Sequence, residues 1–189
     1  IMLIVYAHPN KKGFCGYTLK SLKKELNRTK KNYRVLDLYE KNYDPVLKDA
    51  EHYTSGGSFI SKENKMLQDL IQKDPKLIFI FPVWWNNMPA ILKGFFDRVF
   101  IKNFAFRYKN HFPKPLLQGK AAIFCSCGSP KIIQFLFNKN RAQKIIKKDI
   151  LKFCGLKAKT FTTGSAFLLN EKQKRKIDQK IKKGLKYLN

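Results

Sequence analysis

Acid is scarce in this chain: 13 Asp and Glu stand against 39 Lys and Arg among 189 residues, a formal net charge of +26. No motif carries paired carboxylates, and no Ser/His/Asp order appears, so hydrolysis by either route lacks its machinery. Cysteine is sparse too. Cys15, Cys125, Cys127 and Cys154 are too irregularly spaced for a disulfide framework, and Cys125-Ser126-Cys127 has the wrong spacing for a CxxC pair. A reducing cytoplasm is the expected setting, and no metal site is expected. No apolar run reaches the ~18 residues a membrane span needs. The opening Ile1–Val5 lacks a basic stretch before it and reads as a buried strand rather than a signal peptide. Neither GxGxxG nor GxxxxGK[ST] occurs, which removes the two common phosphate-loop fingerprints. The positive charge is mostly lysine spread along the chain, without a helix-turn-helix, zinc-finger or RRM pattern, so specific nucleic-acid binding is not expected.

What the chain does have is core. Hydrophobic residues make up 44% and aromatics 14%, enough to bury one domain over residues 1–189 without staples. Continuous apolar runs mark strands covered on both faces. They occur at Met2–Ala7, Lys76–Phe81 and Ala121–Cys125; Tyr33–Leu38, with Val35 and Leu36 apolar, reads as a further strand and Leu156–Thr162 as a weak one. Helical periods lie between them. Leu19, Leu22 and Leu26 share one face. Met66, Leu67, Leu70 and Ile71 share a second, in a helix capped by Ser61 and ended by Asp74-Pro75. Ile91, Leu92, Phe95, Phe96 and Val99 form a third, opened by Pro89. Ile145–Phe153 is a helix stopped by Gly155, and Glu171–Leu188 is a lysine-faced amphipathic helix. Tyr39–Ser58 and Asn103–Gly119 read as irregular. Strands alternating with helices predict an α/β three-layer sandwich around a five-stranded parallel sheet of order 2-1-3-4-5.

Ligands of such sheets bind where strands end and strand order reverses, which singles out three loops. His8–Cys15 turns through Gly13 into a helix N-terminus, a place that favours phosphate, with Lys11, Lys12 and His8 adding charge. Pro82-Val83-Trp84-Trp85-Asn86-Asn87 holds both tryptophans, good partners for a planar heterocycle. Ser126-Cys127-Gly128-Ser129 suits close approach to a polar ring edge. His52 and His111 stand alone in loops, and Asp97-Arg98 reads as a structural contact on a helix surface.

The run Phe81–Phe100 (FPVWWNNMPAILKGFFDRVF) closely resembles the NAD(P)H:quinone oxidoreductases, the DT-diaphorase-like branch of flavodoxin-like proteins. That branch includes modulators of drug activity and the ancillary oxidoreductases of glutathione-gated potassium efflux systems. Tyr6-Ala7-His8-Pro9-Asn10, Asp37-Leu38-Tyr39, Tyr43–Leu47, Phe104-Ala105-Phe106 and Ile150–Gly155 extend the resemblance over nearly the whole chain.

The resemblance implies a cytoplasmic homodimer with a flavin in each of two interface sites, FMN favoured over FAD. It implies two-electron ping-pong hydride transfer from NADPH or NADH to a quinone-like acceptor. His8, Gly13, Phe14 and Cys15 would hold the phosphate and ribityl chain. Pro82, Val83, Trp84, Trp85 and Asn86 would run along the isoalloxazine. Ser126, Cys127, Gly128 and Ser129 would meet its pyrimidine edge. Asn87, Phe106 and Tyr108 would wall the substrate pocket, the last two from the other subunit. No side-chain acid or base is assigned. Gly13-Phe14-Cys15 stands where the family usually has Ser-Phe-Asn, so two side-chain hydrogen bonds are lost. That loss, with the basic surface, supports an alternative: a weakly catalytic regulatory subunit of a glutathione-gated potassium efflux transporter, peripheral to the membrane. An electron-transfer flavodoxin is disfavoured, because such carriers usually present an acidic face.

Overall fold

The computed structural model describes residues 1–73 and 76–189. The Asp74-Pro75 helix end lies outside the described residues. Seven strands and six α-helices follow in chain order: β1 Met2–Tyr6, α1 Gly13–Arg28, β2 Tyr33–Asp37, α2 Lys62–Lys73, β3 Lys76–Pro82, α3 Ala90–Val99, β4 Phe106–Lys109, β5 Phe112–Pro115, β6 Gly119–Ser126, α4 Lys131–Leu136, α5 Arg141–Lys144, β7 Leu156–Thr163 and α6 Glu171–Leu188.

Five strands form a parallel sheet of order β2-β1-β3-β6-β7. Successive side chains of each strand point to opposite faces, and both faces of the sheet are covered, as the unbroken apolar runs require. Leu3, Val5, Leu77, Phe79, Phe81 and Ile123 join the core beneath α2 and α3. Ile4, Tyr6, Ile78, Ile80, Ala122 and Phe124 join the core beneath α1 and α6. Phe79 is fully buried with its ring 5.1 Å from that of Phe96; burying such a side chain contributes about 2–3 kcal/mol.

The order places the strand reversal between β1 and β3. β1 stops where His8-Pro9 removes ladder donors, and its neighbours end at Asp37 and Pro82. The carboxyl ends of β1, β3, β6 and β7 therefore open on one edge.

Four sequence expectations are corrected. Asn103–Gly119 is not irregular: β4 and β5 pair as an antiparallel hairpin, closed by Asn110 and His111. Lys131–Leu136, assigned no element above, is helical. The helix expected over Ile145–Phe153 is π-helical at Ile145–Lys152, continuing α5. Met66 is 62% exposed rather than core-facing; Asn64, Leu67, Gln68 and Ile71 form the buried stripe of α2. Ser61 does cap that helix, its Oγ accepting the Asn64 amide at 3.2 Å. Gly155 ends the π-helical segment with φ +98°. Tyr39–Ser58 is a loop broken by two short 3-10 turns, Asp49–Glu51 and Tyr53–Ser55. Among the described residues no helix is long and apolar enough to cross a membrane.

Candidate functional site

The three loops meet. A cleft of about 310 Å³ at the carboxyl edge is lined by His8 and Lys12–Cys15 from the first, Pro82–Trp84 from the second and Ser126–Gly128 from the third. Backbone pairing locks them together. Val83 donates its amide to Ser126 O at 2.7 Å, and Cys127 donates to Thr163 O at 2.9 Å.

The first loop ends on α1, whose N-terminus has no side-chain cap and no acid in its first turn. Its leading amides face the cleft at Gly13, Phe14 and Cys15, with the positive end of the helix dipole behind them. Lys12 stands beside them. Lys11, expected to add charge here, instead pairs with Asp37 at 3.3 Å and with Glu40. The His8 ring is tied down through Nδ1 by Asn10, whose amide it accepts at 3.0 Å. Gly16 lets the loop lie on the helix: a Cβ there would fall 1.7 Å from Lys11 O.

Cys15 turns its thiol inward, 3.3 Å from Ser126 Oγ, and burial pushes that thiol up to about 12. It is a strut between two loops rather than a nucleophile. Cys127 is likewise buried, its Sγ against Ser129 O and Thr163 O, and burial raises it too.

The second loop is a closed two-residue turn. Trp84 and Asn87 exchange both backbone bonds, at 3.0 and 2.9 Å, while Trp85 and Asn86 take φ of +50° and +54°. Trp84 comes into the cleft wall, with its ring 5.9 Å from that of His8. Trp85 points out and is fully exposed.

In the third loop the amides of Gly128 and Ser129 find no acceptor among the described residues. The Ser129 hydroxyl is occupied by Gln134 Nε2 at 2.6 Å.

Trp85, Asn86, Asn87 and Ser129 thus lie outside the lining of the cleft. Phe106 and Tyr108 are farther off. Phe106 lines a separate cavity of about 330 Å³ with Glu51, His52, Tyr53 and Phe153, and Tyr108 packs edge-on against it at 5.8 Å. Asp97 and Arg98 are structural, Asp97 bonded by Lys93 and Arg98 by Glu51.

A fourth wall was missed. Ala166, Phe167 and Leu169, after β7, complete the lining of the cleft. Phe167 is 82% exposed, an aromatic left outside the core at a strand's carboxyl end, and that was the available signal.

The family model of the flavodoxin-like fold matches residues 2–188. The chain belongs to the flavodoxin-like fold family. Within that family it is 28% identical over 178 residues to an uncharacterized NAD(P)H oxidoreductase of Haemophilus influenzae, covering 92% of this chain and 88% of that protein. It is 32% identical to NAD(P)H dehydrogenase [quinone] 1 of Rattus norvegicus, over 81% of this chain and 64% of that protein, so it spans less than two thirds of that relative's length. The crystal structure of Smu.1420 from Streptococcus mutans superposes with a TM-score of 0.81 at 34% identity, covering 96% of each chain. The resemblance of this flavodoxin-like chain to NAD(P)H:quinone oxidoreductases is thereby borne out.

Proposed function

We propose that the chain is a flavin-dependent NAD(P)H:quinone oxidoreductase that binds FMN, in preference to FAD, at this cleft. The observation that carries the reading is the set of unpartnered backbone amides converging on one cleft beside Trp84. Those donors suit an anion at the α1 end and a heterocycle's polar edge at the Gly128 end. The donor and acceptor names carried by the relatives support a reduced nicotinamide and a quinone-like acceptor. A flavin held there would supply two-electron carriage between them, the two using the site in turn.

The chain's own residues bind, orient and exclude water. The amides of Gly13, Phe14 and Cys15, with Lys12, hold the phosphate. Trp84 and Phe167, both in the lining, would cover the ring system. Ser126 and Gly128 would meet its edge through hydroxyl and amide groups. No side-chain proton donor is needed in this scheme.

The outward set of Trp85, Asn86, Asn87, Phe106 and Tyr108 supports a homodimer in which a second copy completes the acceptor pocket. A cytoplasmic location goes with this reading.

Anaerobic absorbance spectroscopy tests it. The protein, as purified or reconstituted with FMN, should show flavin bands that bleach with NADPH or NADH and return with a quinone. Tryptophan emission should fall on adding FMN, and Trp84→Phe should remove most of that fall while Trp85→Phe keeps it. A colourless protein that takes up neither FMN nor FAD overturns the reading. The inward-turned Cys15 favours the second reading in that case, a regulatory partner of a potassium efflux transporter.

A further inference from the structure

Around the corner from the flavin cleft, a second cleft of about 410 Å³ opens between α6 and the exit of β7. Its lining includes Lys131, Thr163, Ser165, Lys176, Lys180 and Lys183. Lys176, Lys180 and Lys183 are spaced i, i+4 and i+7, so they form one stripe of α6. The helix's carboxylates point elsewhere. Asp178 accepts from Tyr17 and Ser21 of α1, and Glu171 is taken by Lys174. Elsewhere lysines such as Lys48, Lys65 and Lys93 have acids a turn away. None of the four cleft lysines makes an ion pair among the described residues.

Nor is this simply a solvated face. Lys180 is half-buried, its Nζ donating to Thr163 Oγ1 at 2.7 Å. Burial, and then Lys131 beside it, push that ammonium down to about 8. Lys131 is brought opposite the stripe by close packing at Gly164, where a Cβ would lie 2.7 Å from Lys131 N and 3.0 Å from Ser129 O. Like charges are thus gathered around a concavity that also offers the Ser165 hydroxyl and the Gln173 and Gln179 amides. Ammonium groups act as point charges and suit a compact multivalent anion. A single carboxylate would leave most of their charge uncompensated.

We propose that this cleft is a phosphate-binding site, taking a phosphomonoester or diphosphate group carried by a small soluble molecule or by a lipid headgroup. The proposal does not rest on the flavin reading, since none of these lysines lines the flavin cleft.

The test is calorimetric titration with pyrophosphate at constant ionic strength, on the protein as purified and again with FMN added. With FMN bound, binding should saturate near one per chain. It should weaken at least about tenfold in Lys176→Gln/Lys183→Gln and less than about twofold in the charge-matched Lys147→Gln/Lys148→Gln. Absence of saturable binding once FMN is bound, or equal weakening in both variants, overturns the proposal. Vesicle flotation separates the sources. Capture by phosphatidylinositol-phosphate vesicles that is lost in the cleft variant points to a lipid headgroup. Pyrophosphate binding without such capture points to a soluble ester. Equal capture by phosphatidylserine vesicles of matched charge, unaffected by the cleft variant, overturns the lipid form.

Discussion

At the scale of single residues, one glycine and one ion pair stand against ordinary preference. Gly16 sits in a helix, where alanine is normally better by about 1 kcal/mol. Here the Cβ would overlap Lys11 O, and forcing extra volume into packed backbone costs about 1–3 kcal/mol. The clash should win: Gly16→Ala is expected to lower the urea midpoint and to weaken FMN uptake together. A raised midpoint would show that the loop yields freely.

Glu51 and Arg98 form the second case. Their side chains are 4% and 10% exposed and 2.7 Å apart. Burial opposes the Glu51 charge, but the Arg98 guanidinium and the Lys48 amide outweigh it and hold the carboxyl below its usual range. A lowered folded pKa contributes stability above the unfolded value, about 4.3, and loses it as pH falls through the folded one. Glu51→Gln leaves buried Arg98 only the more distant Asp44 carboxylate, 3.9 Å away, and should cost about 3 kcal/mol at neutral pH. Urea unfolding at several pH values should show the gap from the parent protein closing as pH drops. A gap that stays constant with pH would remove the ion pair as its cause.

At the scale of elements, the β4–β5 hairpin turns on Asn110 and His111 with φ of +50° and +66°. Two-residue hairpin loops of this hand prefer Asn-Gly, and a non-glycine residue in the left-handed region costs about 1 kcal/mol. His111→Gly should therefore close the hairpin more firmly, read as slower tryptic cleavage after Arg107 and Lys109. Faster cleavage would mean that the His111 ring holds the turn. This hairpin also explains what could not be read in advance. All but one of its eight strand positions are exposed, so no face was written in hydrophobic alternation, and Pro113 and Pro115 disguised it further. The π-helical segment hid for a related reason, because its buried Ile146 and Leu151 are five apart rather than three or four. In α2 two of the four core-facing positions are polar. Asn64 bonds the Tyr43 hydroxyl at 2.9 Å and Gln68 caps Val99 O at 3.0 Å, which shifted the apparent stripe onto Met66. The central strands β1, β3 and β6 were plain because burial on both faces leaves little room for polar residues, whereas the edge strands β2 and β7 keep Arg34, Lys157 and Lys159 exposed. Three cleft loops followed from the strand ends; the fourth followed the weakest strand and was passed over.

At the scale of the molecule, charge dominates. Were every one of the 13 acids paired, 26 cations would remain. Their mutual repulsion reaches about 30 Å at 10 mM salt and about 10 Å at 100 mM. Stability against urea, an uncharged denaturant, should rise as KCl is raised across that range. A fall would mean that the ion pairs outweigh the repulsion.

Trp85 carries one more consequence. Its backbone is held left-handed in a closed turn, and its ring touches none of its own chain's core. A side chain held out at that cost contributes nothing to a solitary copy. Under the two-copy reading, turnover per chain would be sensitive to enzyme concentration. Progressive dilution should bring a fall in specific activity that a mere loss of protein to vessel walls would not reverse, but that an excess of a flavin-free copy would restore.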